Sequence, residues 1–224
     1  MIKIITATRL SENEFWDNSA LGLSLRRLEY DDRWIPRVAF ENRRGLSDIY
    51  NARISAEASD DILVFIHDDV WIDDYFFVDR IIEGLQVYDV LGVAGNRRKV
   101  PFQPAWPFIN TSFTWDDKVN LTGAVAHGQS AFGSISFFGT VPAECELLDG
   151  VFLAAKKQVL IKNGVFFDPQ FDFHLYDMDF CRNARQHGLR LGTWSICLTH
   201  QSGGAFGTAH WRAKYDAYIK KWGS

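Results

Sequence analysis

Ile62-Leu63-Val64-Phe65-Ile66-His67-Asp68-Asp69 decides the fold, because five consecutive apolar residues run directly into two carboxylates. An unbroken apolar run this short reads as a strand buried on both faces, of the kind found in sheets covered by helices. Open α/β sheets bind ligands beyond the carboxyl ends of their strands, so the acids stand where such proteins place their chemistry. Adjacent carboxylates at that edge repel each other unless a cation compensates, which points to a divalent metal carrying a phosphate-rich substrate. A solvated turn is the plain alternative, since Asp is also a common turn and capping residue.

Working outward, Lys3 to Thr8 reads as a first strand, Trp16 to Leu28 as a helix and Arg37 to Phe40 as a second strand. A helix from Ser47 to Ala58, with Ser47-Asp48 at its N-terminus, then delivers the chain into the 62–66 strand. This alternation predicts a parallel, doubly wound sheet. No GxGxxG follows the first strand, which disfavours a dinucleotide-binding enzyme. Downstream, a helix over Asp74 to Tyr88 and a strand over Val90 to Gly95 precede a loosely patterned stretch from Asn96 to Leu148. That stretch is too long for a plain connection and is expected to be functional or mobile. Order returns with a small-residue strand over Asp149 to Ala155, a helix from Lys157 and a helix over Asp177 to His187 closed by Gly188. A last strand spans Leu189 to Leu198. The C-terminal helix carries Trp211, Tyr215, Tyr218, Ile219 and Trp222 at helical spacing. This stripe is expected to pack on the body or on a second copy, and Lys214, Lys220 and Lys221 leave peripheral membrane contact as an alternative.

At 224 residues the chain is long enough to bury a substantial core as one domain. A net charge of -4 leaves no electrostatic footprint for nucleic acid, so that partner class is set aside. The sequence contains no apolar run long enough for a signal peptide or a bilayer span, and a cytoplasmic location is expected. Cys145, Cys181 and Cys197 lack CxxC spacing and read as reduced buried thiols rather than disulfides or zinc ligands. The 15% aromatic content suits stacking on sugars or bases as well as a Phe-rich core.

Three polar clusters lie at element ends: His67-Asp68-Asp69, Tyr176-Asp177-Met178-Asp179, and His200 before Ser202-Gly203-Gly204. Each has a plain explanation. Asp177 would cap its helix, a role worth about 1 kcal/mol, Asp179 would complement the helix dipole, and a lone His is usually structural. As an ordered set, however, they resemble the GT-A fold of glycosyltransferase family 2. Asn42 to Asp69 is similar to that family's stretch from an Asn/Gly-rich loop to its DxD strand, with Gly45 and Asn51 matching its Gly and Asn. His67 occupies the first Asp position, so the literal DxD is broken. Phe167-Asp168-Pro169-Gln170-Phe171 and Tyr176-Asp177-Met178-Asp179-Phe180 resemble its FDxxF and EDxDL signals, with Tyr176 in place of Glu.

The resemblance implies a GT-A-like three-layer αβα sandwich with a mostly parallel central sheet. It implies one catalytic domain, with residues 1–95 binding the donor, 96–204 carrying the acceptor side and the base, and 205–224 forming the terminal helix. Asp177 is then the catalytic base of an inverting transfer, and Asp69 and His200 hold Mn2+ or Mg2+. The donor, expected to be a UDP-sugar, would meet Thr6, Ala7, Thr8, Arg9, Glu41, Asn51, Asp68 and Gly150. A saccharide or glycolipid acceptor would meet Trp106, Trp115, Asp149 and Tyr176, with Asp116 and Asp117 beside Trp115 as hydroxyl partners. Ser202 to Gly207 would form a flap over the diphosphate. The expected role is surface polysaccharide or glycoconjugate assembly. A sugar-phosphate nucleotidyltransferase and a non-catalytic carbohydrate-binding protein are the competing readings; the first is weakened by the absence of a Gly-rich basic turn after the first strand.

Overall fold

A computed structural model describes residues 1–223. The first half contains β1 (Ile2–Ala7), α1 (Glu12–Asn18), α2 (Ala20–Arg27), β2 (Trp34–Ala39), α3 (Leu46–Ala56), β3 (Ile62–Ile66), β4 (Val70–Ile72), α4 (Phe77–Val87), β5 (Val90–Gly92) and β6 (Ala94–Asn96). The second half contains β7 (Leu121–His127), β8 (Ser134–Gly139), β9 (Ala143–Cys145), β10 (Leu147–Leu148), β11 (Phe152–Lys156), α5 (Lys157–Lys162), α6 (Tyr176–Gln186), β12 (Leu191–Thr193), β13 (Leu198–His200) and α7 (Ala209–Trp222).

The strands form two sheets. The larger has the order β2-β1-β3-β11-β5-β12-β9, and the smaller has the order β10-β6-β7-β13-β4 with β8 on the other edge of β7. The apolar run at 62–66 is β3, with Leu63 to Ile66 buried as its sequence requires. The mostly parallel expectation holds only in part. β1 pairs parallel with β2 and β3, and β5 with β12, but β11 runs antiparallel between β3 and β5, and β9 antiparallel to β12.

Two segments read as single strands are each divided between the sheets. Val90 to Gly95 becomes β5 in the larger sheet and β6 in the smaller, and the segment from Leu189 becomes β12 in the larger and β13 in the smaller. At the first crossing, Gly123 lies against the Val93 carbonyl with φ +93, a conformation and a closeness that a side chain would forbid. The stretch 96–148 is more regular than its loose patterning suggests. It supplies β7, which is the centre of the smaller sheet and largely buried, and β8, β9 and β10. The helix expected over Trp16 to Leu28 is two helices, interrupted at Ser19. The Ser19 hydroxyl accepts from the Gly22 N–H and donates to the Phe15 carbonyl, closing one helix and capping the next.

The terminal helix α7 packs on its own body. Trp211 and Tyr218 are buried, and Tyr215, Ile219 and Trp222 lie against the core. Lys221 pairs with Asp168 and Asp179, each at 2.7 Å, and the Trp222 indole donates to Asp179. The stripe thus packs on the body, the first of the alternatives its spacing offered. No helix among the described residues is long and apolar enough to cross a membrane. All three cysteines are free; Cys145 and Cys181 are buried, whereas Cys197 is exposed, contrary to expectation.

Candidate active site

The parallel register of β2, β1 and β3 brings their carboxyl ends to one edge, where Ala7-Thr8, Phe40-Glu41 and His67-Asp68-Asp69 emerge. The reversed strand β11 begins where β3 ends. Phe152 pairs with Ile66, and the His67 N–H donates to the Val151 carbonyl, so Asp149 and Gly150 arrive beside His67. From the smaller sheet, β13 pairs antiparallel with β4 so that His200 lies opposite Val70, and the Gln201 N–H donates to the Asp69 carbonyl. Three backbone pairings therefore converge on Asp69.

Around it, the Asp69 Oδ1 lies 3.2 Å from His200 Nε2 and 3.9 Å from His67 Nδ1. One donor atom from each of these three residues falls within 4.8 Å of the others, close enough to share a cation. Their side chains are 20%, 30% and 12% exposed for His67, Asp69 and His200, so the cluster opens to solvent without being loose on the surface. His67, read from sequence only as a break in the DxD, is the residue that sequence reasoning left out of the metal set. The signal was present in the HxD spacing on a buried strand, but a ligand role for the first position requires the neighbour from β13.

Electrostatics supports the grouping. Burial opposes ionisation of Asp69, yet hydrogen bonding and charge from His200, with His67 and Ser202, hold its carboxyl at about 2. Burial likewise works against the charged form of His200, but Asp69 outweighs it and raises the imidazole above its ordinary value. His67 is lowered by burial and stays neutral, the form in which imidazole binds metals. Two imidazoles and a carboxylate suit Mn2+ and are less typical of Mg2+, so the donor set fits the expected cation.

Asp177 is tied to this cluster through Gly150 and Tyr176. The helix cap is Leu175 at φ +62, not Asp177, so the capping explanation falls away. The Asp177 Oδ2 instead accepts the Gly150 N–H at 3.1 Å. Burial and the neighbouring Asp149 raise its carboxyl to about 6, against partial relief from backbone N–H groups. Gly150 has to be glycine here, since a Cβ would come within 2.5 Å of the Tyr176 hydroxyl and 2.8 Å of the Asp177 Cβ. Asp149 shares the cleft, its Oδ1 accepting the Val151 N–H at 3.0 Å.

The donor-side residues are distributed unevenly. Asp68 is partly buried, and burial raises its carboxyl while Thr8 offsets this. Thr8 is buried with its hydroxyl accepting the Leu10 N–H, Thr6 is fully buried, Ala7 is half-buried, and Arg9 and Glu41 are exposed at the same edge. Asn51 is not among the groups facing the cleft. Its amide donates to the Phe167 carbonyl at 2.7 Å and accepts the Phe167 N–H at 2.9 Å, clamping the segment that leads into α6.

The acceptor-side expectations divide further. Trp106 is 7% exposed, edge-on to Phe138, and serves the core. Trp115 is 53% exposed and stacks on Phe138 with ring centroids 5.9 Å apart. Phe108 packs against Trp115 on one side and Phe206 on the other, linking this aromatic surface to the loop that follows His200. Asp116 is buried and binds Arg98, Asn96 and Asn120, so it locks the loop rather than offering itself to hydroxyls; Asp117 remains exposed. Tyr176 also points inward. It is 3% exposed, and its hydroxyl lies between the Gly150 carbonyl and His67.

Comparison with known proteins follows the same line. The profile described as Glycosyltransferase like family matches residues 24–217. The chain belongs to this glycosyltransferase-like family, and it is a glycosyltransferase. The resemblance to family 2 read from the sequence is thereby borne out. The catalytic domain of a Drosophila β1,4-galactosyltransferase 7, solved with xylobiose, aligns with a TM-score of 0.54 at 9% identity over 96% of this chain and 79% of that one. A Pyrobaculum calidifontis mannosyltransferase solved with GDP-Man and Mn2+ aligns with a TM-score of 0.53 at 13% identity, covering 100% of this chain and 65% of that one. GalNAc-T7, solved with UDP, GalNAc and Mn2+, gives 0.54 at 10% identity, covering 99% and 48%. These likenesses show the GT-A fold. The comparison with curated proteins gave no match.

Proposed function

We propose that this glycosyltransferase moves a sugar from a nucleoside-diphosphate sugar to a hydroxyl of a saccharide or glycolipid acceptor, with inversion and with a divalent cation held by His67, Asp69 and His200. The observation that carries the reading is the juxtaposition of this three-residue donor set with a partly buried carboxyl, Asp177, raised to about 6. When bound, Mn2+ or Mg2+ supplies Lewis-acid stabilisation of the diphosphate leaving group. Asp177 takes the acceptor proton, and its raised carboxyl suits a base that works near neutrality. Asp68, at the donor edge, accepts hydroxyls of the ribose or donor sugar. Structures of relatives solved with GDP-Man, with UDP and with Mn2+ support the same reading.

Calorimetry with UDP and GDP, each with and without Mn2+, tests the proposal directly. One of the two nucleotides is expected to bind, and to bind more tightly with Mn2+; equal heats with and without the metal would remove the cation from the reading. A nucleotidyltransferase would instead favour a nucleoside triphosphate, and a carbohydrate-binding protein would bind neither nucleotide.

On the acceptor side, the reading narrows to Trp115 with Phe138, because Trp106 is buried. Trp115→Ala is expected to raise the acceptor KM about 5- to 10-fold, the loss of one aromatic face. Nucleotide affinity should stay unchanged, and so should the melting temperature, since the ring is half-exposed. A lowered melting temperature without a selective KM change would make Trp115 a packing residue.

A further inference from the structure

Tyr176 replaces an acid of the resembling family and is buried at the centre of the site without touching the cleft. Its hydroxyl lies 2.8 Å from the Gly150 carbonyl and 2.7 Å from His67 Nε2. A backbone carbonyl only accepts, so the single phenol proton goes to Gly150. The phenol oxygen is then left as an acceptor, and His67 Nε2 must carry the proton that meets it. In a neutral imidazole this leaves the lone pair on Nδ1, the atom that faces Asp69 at 3.9 Å. Phe173 lies nearly parallel to the His67 ring, with the planes 20° apart and the centroids 6.4 Å apart. The same Gly150 donates its N–H to Asp177 at 3.1 Å, so the backbone N–H and carbonyl of one residue hold Asp177 and Tyr176 respectively.

We infer that Tyr176 is a positioning residue, selecting the Nε2–H tautomer of His67 so that Nδ1 is presented as the third ligand to the cation. The inference rests on the proposed metal-dependent transfer and specifies how the broken DxD still supplies a ligand at its first position. Outer groups that hold a metal-ligating histidine in one tautomer are worth about 10- to 100-fold in metal affinity.

Electron paramagnetic resonance titration with Mn2+ alone, on the full chain without nucleotide, is the test. Tyr176→Phe is expected to weaken Mn2+ binding about 10-fold with the fold intact by circular dichroism. In a His67→Asp background the same substitution should change affinity by less than about twofold, because the tautomer no longer exists to be selected. Long-range 15N-1H correlation spectra of the metal-free protein should show His67 protonated at Nε2 and free at Nδ1, and Tyr176→Phe should lose that preference. If Asp69→Asn abolishes Mn2+ binding while Tyr176→Phe leaves it unchanged, the inference fails and the metal site stands. Weakening by Tyr176→Phe that is equally large in the His67→Asp background would show a general packing effect and also overturn it. If neither Asp69→Asn nor Tyr176→Phe alters Mn2+ binding, the metal-dependent reading itself is wrong. A wild-type His67 protonated at Nδ1 would refute the hydrogen-bond assignment irrespective of metal.

Discussion

Asp177→Asn is expected to lower turnover by two to four orders of magnitude while leaving nucleotide affinity within about twofold. Asn keeps an oxygen for the Gly150 N–H and preserves the size of the side chain, but it cannot take a proton. The same substitution is expected to stabilise the protein at neutral pH. The carboxyl rises from an ordinary 3.8 to about 6 on folding, so the folded chain holds this proton more tightly than the unfolded chain. That contribution is complete below about pH 4 and is lost as the pH rises through about 6. Above that pH the ionised carboxylate, close to Asp149, costs on the order of 3 kcal/mol. Melting curves should therefore show the Asn variant ahead of wild type at pH 7 to 8 and level with it near pH 4. In the wild type, kcat/KM should fall below about pH 6 as Asp177 takes up its proton. Turnover within about tenfold of wild type in the Asn variant would rule out the base, and a product of retained anomeric configuration would rule out single displacement.

Removing the metal's carboxylate should have the other large effect. Asp69→Asn is expected to abolish the Mn2+-dependent part of nucleoside-diphosphate binding, a loss of about 100-fold or more, beyond what an outer group contributes. Asp69 is the one anion among the three donors, and with its carboxyl held at about 2 it is ionised throughout the working range. Two neutral imidazoles alone attract a hard divalent cation weakly. The substitution also takes from His200 the charge that raises its imidazole. Because Asp69 is 30% exposed, the metal-free protein should melt within a few degrees of wild type. Calorimetry of UDP and GDP with Mn2+ checks the first expectation and a melting curve the second; unchanged affinity for the metal–nucleotide pair would exclude Asp69 as a ligand.

Trp115 and Trp106 show where sequence reading stopped. Both lie among prolines and loop residues and both read as acceptor platforms, yet one is buried against Phe138 from the side and the other stacks on Phe138 in the open. Nothing local separates them, because which ring faces solvent depends on where β7 and β8 carry Phe138. Asp116 and Asn51 are similar cases. Their side chains look available in sequence, but Arg98 and Phe167, brought by the fold, occupy them. Tyr176 reads as part of a polar cluster and is turned inward because Gly150 leaves room for its hydroxyl.

By itself, the sequence determined the elements whose signals are local: the apolar strand ending in His67-Asp68-Asp69, the helix opening at Tyr176-Asp177, the packed terminal helix and the family to which their order points. Hydrophobic pattern and turn chemistry act over a few residues, so these features survive without knowledge of their neighbours. Only the tertiary structure decided that β11 runs against β3, that the segments at 90–96 and 191–200 each divide between two sheets, and that His67 joins Asp69 and His200. Strand partner and direction are set by contacts between residues far apart in the chain. A strand buried on both faces carries no alternation that would specify them, and the site is built from those long-range pairings.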